Sequence, residues 1–154
     1  MSGKEIESEV ENEKEVSVDE DVLNIEDFFT KDNSENGVWH EPNINGKIGI
    51  EFLVIGAESD EAAQLFADYD KDMVRIEEIK DPKQKNEETR KAIASVASKI
   101  VKGIRGANGK TIMIGNKPLK YDSPTAYTIM YNSPSIANRI IRFSRNDTNF
   151  MEKK

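Results

Sequence analysis

The chain has no cysteine, one tryptophan and one histidine in 154 residues. Without cysteine there are no disulfides, no thiol nucleophile and no thiolate metal site. A single histidine removes the paired-histidine zinc patterns, and a histidine-based triad would need a nucleophile that no motif marks. No apolar run approaches the roughly 20 residues that a membrane span requires. Residues 1–10 alternate charged and polar side chains and lack the apolar centre of a signal peptide, so a soluble cytosolic protein is expected.

Acidic charge, by contrast, is abundant and unevenly placed. Residues 1–37 hold 13 acids against 3 bases, whereas residues 90–154 hold 13 bases against 3 acids. The overall net charge of −7 therefore reflects the N-terminus more than the body. Glutamate occupies every second position from Glu5 to Glu15. So little apolar surface cannot offset the entropy of ordering, and residues 1–36 are expected to be a largely disordered acidic arm that keeps the protein soluble or covers a basic surface. Within the arm, Val22, Leu23, Ile25, Phe28 and Phe29 are too apolar for a linker. They either dock on the body or form a short motif for a partner's groove.

Residues 37–151 read as one α+β domain. Val38–His40 and a run from Ile48 to Ile55 flank a turn-rich segment containing Pro42, Asn43, Asn45 and Gly46, which outlines a hairpin. Ile48, Ile50, Phe52 and Val54 share one face of its second strand by alternation. Ser59 caps a long amphipathic helix with Ala62, Leu65, Phe66, Tyr69, Met73, Ile76 and Ile79 at three- and four-residue steps. Asp81 and Pro82 open a second helix, for which Gly103 is the expected stop. Thr111–Ile114 reads as a strand in a smaller glycine-punctuated hairpin or ordered loop. Ser123-Pro124 and Ser133-Pro134 each open a short helix. The expected architecture is a hairpin and a smaller β element packed on about four helices.

No catalytic constellation survives inspection. Gly106 to Thr111 imitates the end of a phosphate loop, but Ile104 stands where the first glycine belongs, and a helix precedes it where a strand is required. His40-Glu41 is followed by Pro42 and has no second histidine to complete a metal site. Asp68, Asp70 and Asp72 splay around a helix and lack the glycine of a calcium loop. Arg139, Arg142 and Arg145, with Lys117 and Lys120 upstream, form a candidate basic patch, but no nucleic-acid motif accompanies them. No cofactor is implied.

The order of the parts carries a resemblance. Gly37-Val-Trp39 precedes a turn and the strand Gly49-Ile-Glu-Phe52; Gly56 and Ser59 lead into the first helix. The second helix runs into Val101-Lys-Gly103-Ile-Arg-Gly106, then Pro118-Leu119-Lys-Tyr121-Asp-Ser123, and a Pro-opened helix reaches Phe143 and Asn149-Phe150. Over residues 37–151 this resembles the small tail assembly chaperone-like proteins of long-tailed bacteriophages. The chain departs from that pattern at Ile104, where a tryptophan is frequent, in a longer Gly109–Gly115 segment, and in the acidic arm.

The resemblance implies a non-enzymatic factor that binds the phage tape-measure protein, the tail-tube protein or both, in the host cytoplasm, and leaves before the virion is complete. Partner-binding residues are expected at Leu23, Ile25, Phe28, Phe29 and Trp39, with self-association a further possibility. The alternatives are a virion structural protein of the tail or head–tail junction, then a small nucleic-acid-binding regulator.

Overall fold

A computed structural model describes residues 22–152. The run expected to be disordered in residues 1–21 lies outside them. The fold is α+β. It is built on a three-stranded antiparallel sheet ordered β1-β2-β3, from Val38–His40 (β1), Ile50–Val54 (β2) and Val101–Gly106 (β3).

The hairpin forms where alternation placed it, with His40 opposite Phe52 and Val38 opposite Val54. Its connection is held by side chains that mimic turn backbone. Asn43 Oδ1 accepts from Gly46 N (2.8 Å) and the Glu41 carboxylate accepts from Gly49 N (2.7 Å). Asn45 and Gly46 both take positive φ at its tip.

The third strand corrects the expectation at Gly103. The second long helix ends at Ile100, and the chain enters β3 at once, with Val101 already extended. Gly103 is therefore a strand residue paired with Leu53 and not a helix stop. A Cβ there would stand 3.3 Å from the Trp39 ring, so glycine admits the indole across the sheet. A register shift at Leu53/Val54 absorbs the extra residue Lys102 as a bulge.

Among the described residues five α-helices accompany the sheet: Lys31–Asn36 (α1), Asp60–Glu77 (α2), Pro82–Ile100 (α3), Ser123–Asn132 (α4) and Pro134–Ser144 (α5). Ser59 Oγ accepts from Ala62 N (3.1 Å) and Asp81 from Gln84 N (3.0 Å), the two caps expected for α2 and α3. The cap of α4 differs. Asp122 accepts from Thr125 N (2.8 Å), so Ser123 is the first helical residue, and Ser133 ahead of α5 makes no side-chain cap bond. Asp122 wins because a carboxylate is a stronger acceptor at the positive end of a helix.

Helix α3 lies at the centre and packs against α2, α4 and α5. Phe52, Val54, Phe66, Ala94, Ala97, Ile100, Met130 and Ile140 form the core between sheet and helices. The smaller β element is a hairpin of Met113–Ile114 (β4) and Lys117–Pro118 (β5) around Gly115-Asn116, shorter than the strand expected from residue 111. The chain closes on a 3₁₀ turn, Asp147–Phe150, whose Phe150 is buried.

The N-terminal boundary lies earlier than residue 37. Helix α1 belongs to the body: Ser34 is buried, its carbonyl accepts from Gly56 N (2.9 Å), and Asn33 Nδ2 donates to Phe150 O (3.1 Å). The wholly polar and charged residues 31–36 gave no apolar stripe to announce this docking, because backbone and amide groups do the attaching.

Candidate partner-binding site

Of the two fates open to the apolar segment at 22–29, the described structure shows the exposed one. Asn24 Oδ1 accepts from Glu26 N (3.0 Å) and opens a 3₁₀ turn over Ile25–Phe28. None of the turn residues is buried. Val22, Leu23 and Ile25 are 67%, 87% and 70% exposed, and Phe28 and Phe29 are about half exposed. Five large apolar side chains exposed by half or more within eight residues is a costly arrangement, since fully burying an exposed side chain of this kind gains up to about 1.5–3 kcal/mol.

The segment is nevertheless anchored. Glu152 N donates to Phe29 O (3.1 Å), and the Thr30 hydroxyl donates to the Glu58 carboxylate. Lys31 bridges Glu35 (2.8 Å) and Asp60 (3.0 Å), which raises the pKa of Lys31 and lowers that of Glu35 through their hydrogen bond. These are exposed pairs and contribute little stability each. Together they orient the start of α1, and with it the direction in which Phe28 and Phe29 leave the body.

Trp39 is placed elsewhere. It occupies the face of the sheet opposite the core, in one row with Leu53 and Gly103. The Arg105 guanidinium lies over its ring at 3.9 Å while Arg105 Nε donates to Glu51 (2.6 Å). Leu23, Ile25, Phe28 and Phe29 thus form one continuous segment, and Trp39 belongs to a separate half-buried surface.

The remaining candidate chemistry resolves into structure. His40 stacks on Phe143 with centroids 4.0 Å apart; burial lowers its pKa, and the neighbouring Glu41 charge partly opposes this. The arginine row is divided: Arg139 donates to the carbonyls of Asn43 and Ser135, while Arg145 pairs with Asp70 at 3.1 Å and lies 4.2 Å over Phe66. Asp68 and Asp72 are likewise engaged, by Gln64 and Arg75. Within Gly106 to Thr111, Ala107–Gly109 is a 3₁₀ turn with Asn108 and Gly109 at positive φ; strand β3 leads into it where a helix was expected, and the element after it is again a strand, not the helix a phosphate loop requires. Among the described residues no group of three or more His, Asp or Glu side chains is placed to hold a metal ion, and no helix is long and apolar enough to cross a membrane.

Sequence reasoning missed the open side of β3 and the cleft beside it, of about 650 Å³ and lined by Ile104, Arg105, Lys110, Ile112, Leu119 and Tyr121. The signal was present in the β-branched Val101 and Ile104 but was masked by the helix running directly into them. Compared with family models, curated proteins and solved structures, the chain matches none.

Proposed function

We propose that this protein is a non-enzymatic assembly factor that captures an unassembled partner through residues 22–29, in the manner of a bacteriophage tail assembly chaperone. The observation that carries the reading is the exposed apolar segment, anchored through Phe29, Thr30 and α1 to a well-packed body. An apolar stretch of this size persists in water when a partner covers it for part of its life. Binding to the partner's unassembled form then holds that form soluble by mass action.

The resemblance over residues 37–151 is what points to the partner: the tape-measure protein, with the tail-tube protein recruited alongside. Capture takes place in the host cytoplasm, and the factor is released before the virion is complete. Acidic charge in residues 1–37 keeps the loaded complex soluble.

The test is quantitative peptide mass spectrometry of infected-cell lysate and purified virions from one culture, with co-purification of tail proteins from the lysate. Abundance in lysate, absence from particles and recovery with the tape-measure protein are expected. A fixed number of copies per virion would make the protein a structural subunit. Triple replacement of Leu23, Phe28 and Phe29 by Ser should abolish co-purification, and an unchanged yield of partner would exclude the segment as the capture site.

A further inference from the structure

Two surfaces of opposite chemistry adjoin the C-terminal turn Asp147–Phe150. The first is the segment 22–29, whose exposed side chains include the apolar Leu23, Ile25, Phe28 and Phe29 and the acidic Glu26. It is tied to the end of that turn, where Phe29 O accepts from Glu152 N and Asn33 Nδ2 donates to Phe150 O. The second is a groove of about 400 Å³ lined by His40, Arg139, Arg142, Phe143, Asn146 and Asn149. The last two belong to the turn and its cap.

The groove is basic. Arg139 donates to the carbonyls of Asn43 and Ser135, so its charge meets no carboxylate. Arg142 is exposed and has no ion-pair partner among the described residues. No acid lines the groove. Glu41, next to His40, is engaged by Gly49 N, and Asp147 lines a separate groove that shares Arg142. The stacked rings of His40 and Phe143, 4.0 Å apart, give the basic groove an aromatic wall.

The segment has the complementary chemistry. Glu26 has no ion-pair partner among the described residues, and two phenyl rings follow it within three positions. A carboxylate beside aromatic rings suits arginines one helical turn apart beside an aromatic wall. Charge along the chain has the same polarity, with acids in excess over residues 1–37 and bases over residues 90–154. Within one molecule, the bonds of Thr30 to Glu58 and of Phe29 to Glu152 hold the segment where its side chains stay exposed. A second copy of this chain offers the surface that would cover them.

We infer that residues 22–29 of one copy seat in the groove beside α5 of a second copy, and reciprocally, as a twofold-symmetric pair. Glu26 meets Arg142, and Phe28 and Phe29 lie against His40 and Phe143. Because segment and groove adjoin the same turn, one contact brings the other within reach, and the pair closes at two copies. The inference rests on the proposed function in one respect: partner and second copy compete for the same segment, so pairing keeps it covered until the partner arrives.

The experiment is sedimentation velocity of the full chain in low salt, at about 10 μM and about 500 μM, since association follows mass action. A shift from monomer to dimer mass is expected, with no larger species. Glu26→Arg alone and Arg142→Glu alone should each weaken pairing by about tenfold or more, because both set like charges against each other in the two contacts. An equimolar mixture of these two variants should recover the dimer, since each contact then joins one arginine to one glutamate. Phe28→Ser with Phe29→Ser should stay monomeric. Circular dichroism reports folding in every sample. A parent that is monomeric at both concentrations, a mixture that fails to recover, or a dimer indifferent to loss of the phenylalanines overturns the inference, and growth past two copies overturns the closed pair. Co-purification of the tape-measure protein separates this inference from the proposed function. Undiminished capture by Arg142→Glu is expected, and diminished capture would place Arg142 in the capture site and overturn the competition. Absence of capture by a parent that still pairs would overturn the proposed function and leave the pair standing.

Discussion

Two short turns near the ends of the described chain share one local design and meet opposite fates. Ile25–Phe28 and Asp147–Phe150 are each four-residue 3₁₀ turns that finish in phenylalanine. Each opens with an asparagine whose Oδ1 accepts the backbone N–H two residues on: Asn24 to Glu26 at 3.0 Å, Asn146 to Thr148 at 3.2 Å. Phe28 is 58% exposed and Phe150 is 1% exposed. The difference lies in what the fold places beside them. Phe150 meets the edge of Phe143 at 5.5 Å, and Asn149 Nδ2 donates to the Phe143 carbonyl at 3.0 Å. Asparagine chemistry builds the turn in both cases, and neighbouring elements alone decide whether its aromatic residue is core or surface.

That contrast predicts unequal costs for equal substitutions. Phe150→Ala should destabilise the protein by about 3–5 kcal/mol, whereas Phe28→Ala should stay within about 0.5 kcal/mol. Urea unfolding of both variants measures this directly. Comparable losses would mean that Phe28 packs in solution, which would remove the free apolar surface that partner capture requires.

The seam between the N-terminal segment and the body offers a second, smaller test. Gly56 is buried beneath α1, and a Cβ there would lie 2.4 Å from Ser34 Oγ. Gly56→Ala should therefore cost about 1–3 kcal/mol through overpacking. Ser34 Oγ is itself buried without a hydrogen-bond partner, so Ser34→Ala should be neutral or gain up to about 1 kcal/mol. In the double variant only part of the Gly56→Ala loss should return, because Ser34 Cβ still stands 2.8 Å from the added methyl once the oxygen is gone. Full additivity of the two effects would show that the seam is looser than the geometry describes.

What was legible in the sequence follows the same division between local and tertiary causes. The hairpin, α2 and α3 were readable because period-2 and period-3.6 patterns agree with nearby caps: Ser59, Asp81 and the turn residues between Glu41 and Gly49. Strand β3 was not, because Val101 follows Ile100 without a breaker, and its extended state is set by pairing with β2, which is remote in sequence. Helix α1 was hidden for a related reason. Its docking uses Asn33, the Ser34 backbone and Thr30, polar groups whose partners at Phe150, Gly56 and Glu58 no local pattern reveals. For the candidate site, apolar composition singled out Leu23, Ile25, Phe28 and Phe29, but whether such residues dock or protrude depends on surfaces that only the fold assembles. Trp39 was noticed for its rarity, and its actual setting depends on Gly103 across the sheet.

The caps sharpen the comparison further. Asn146→Ala should cost about 1 kcal/mol because the turn it opens holds Phe150 in the core, while Asn24→Ala should leave global stability nearly unchanged. Smaller still is the response to pH, which reaches the same aromatic group through His40. Its ring stacks on Phe143, which in turn contacts Phe150, and burial holds the imidazole pKa below its ordinary value of about 6.5. An unfolded chain therefore takes up the proton first as pH falls. Stability is full above the unfolded pKa and declines as pH drops below about 6.5 toward the lower folded value. Glu35, Glu77 and Asp122 have lowered pKa values, so their contributions are lost at more acid pH, below the ordinary carboxylate range of about 4. Comparing urea midpoints at about pH 7.5 and about pH 5.5 isolates the histidine. The parent should lose stability between them, and His40→Phe, which keeps an aromatic ring against Phe143, should not. Equal losses in both proteins would show that the stacked imidazole is already open to water, and that the Phe143–Phe150 pair is less enclosed than the core around it.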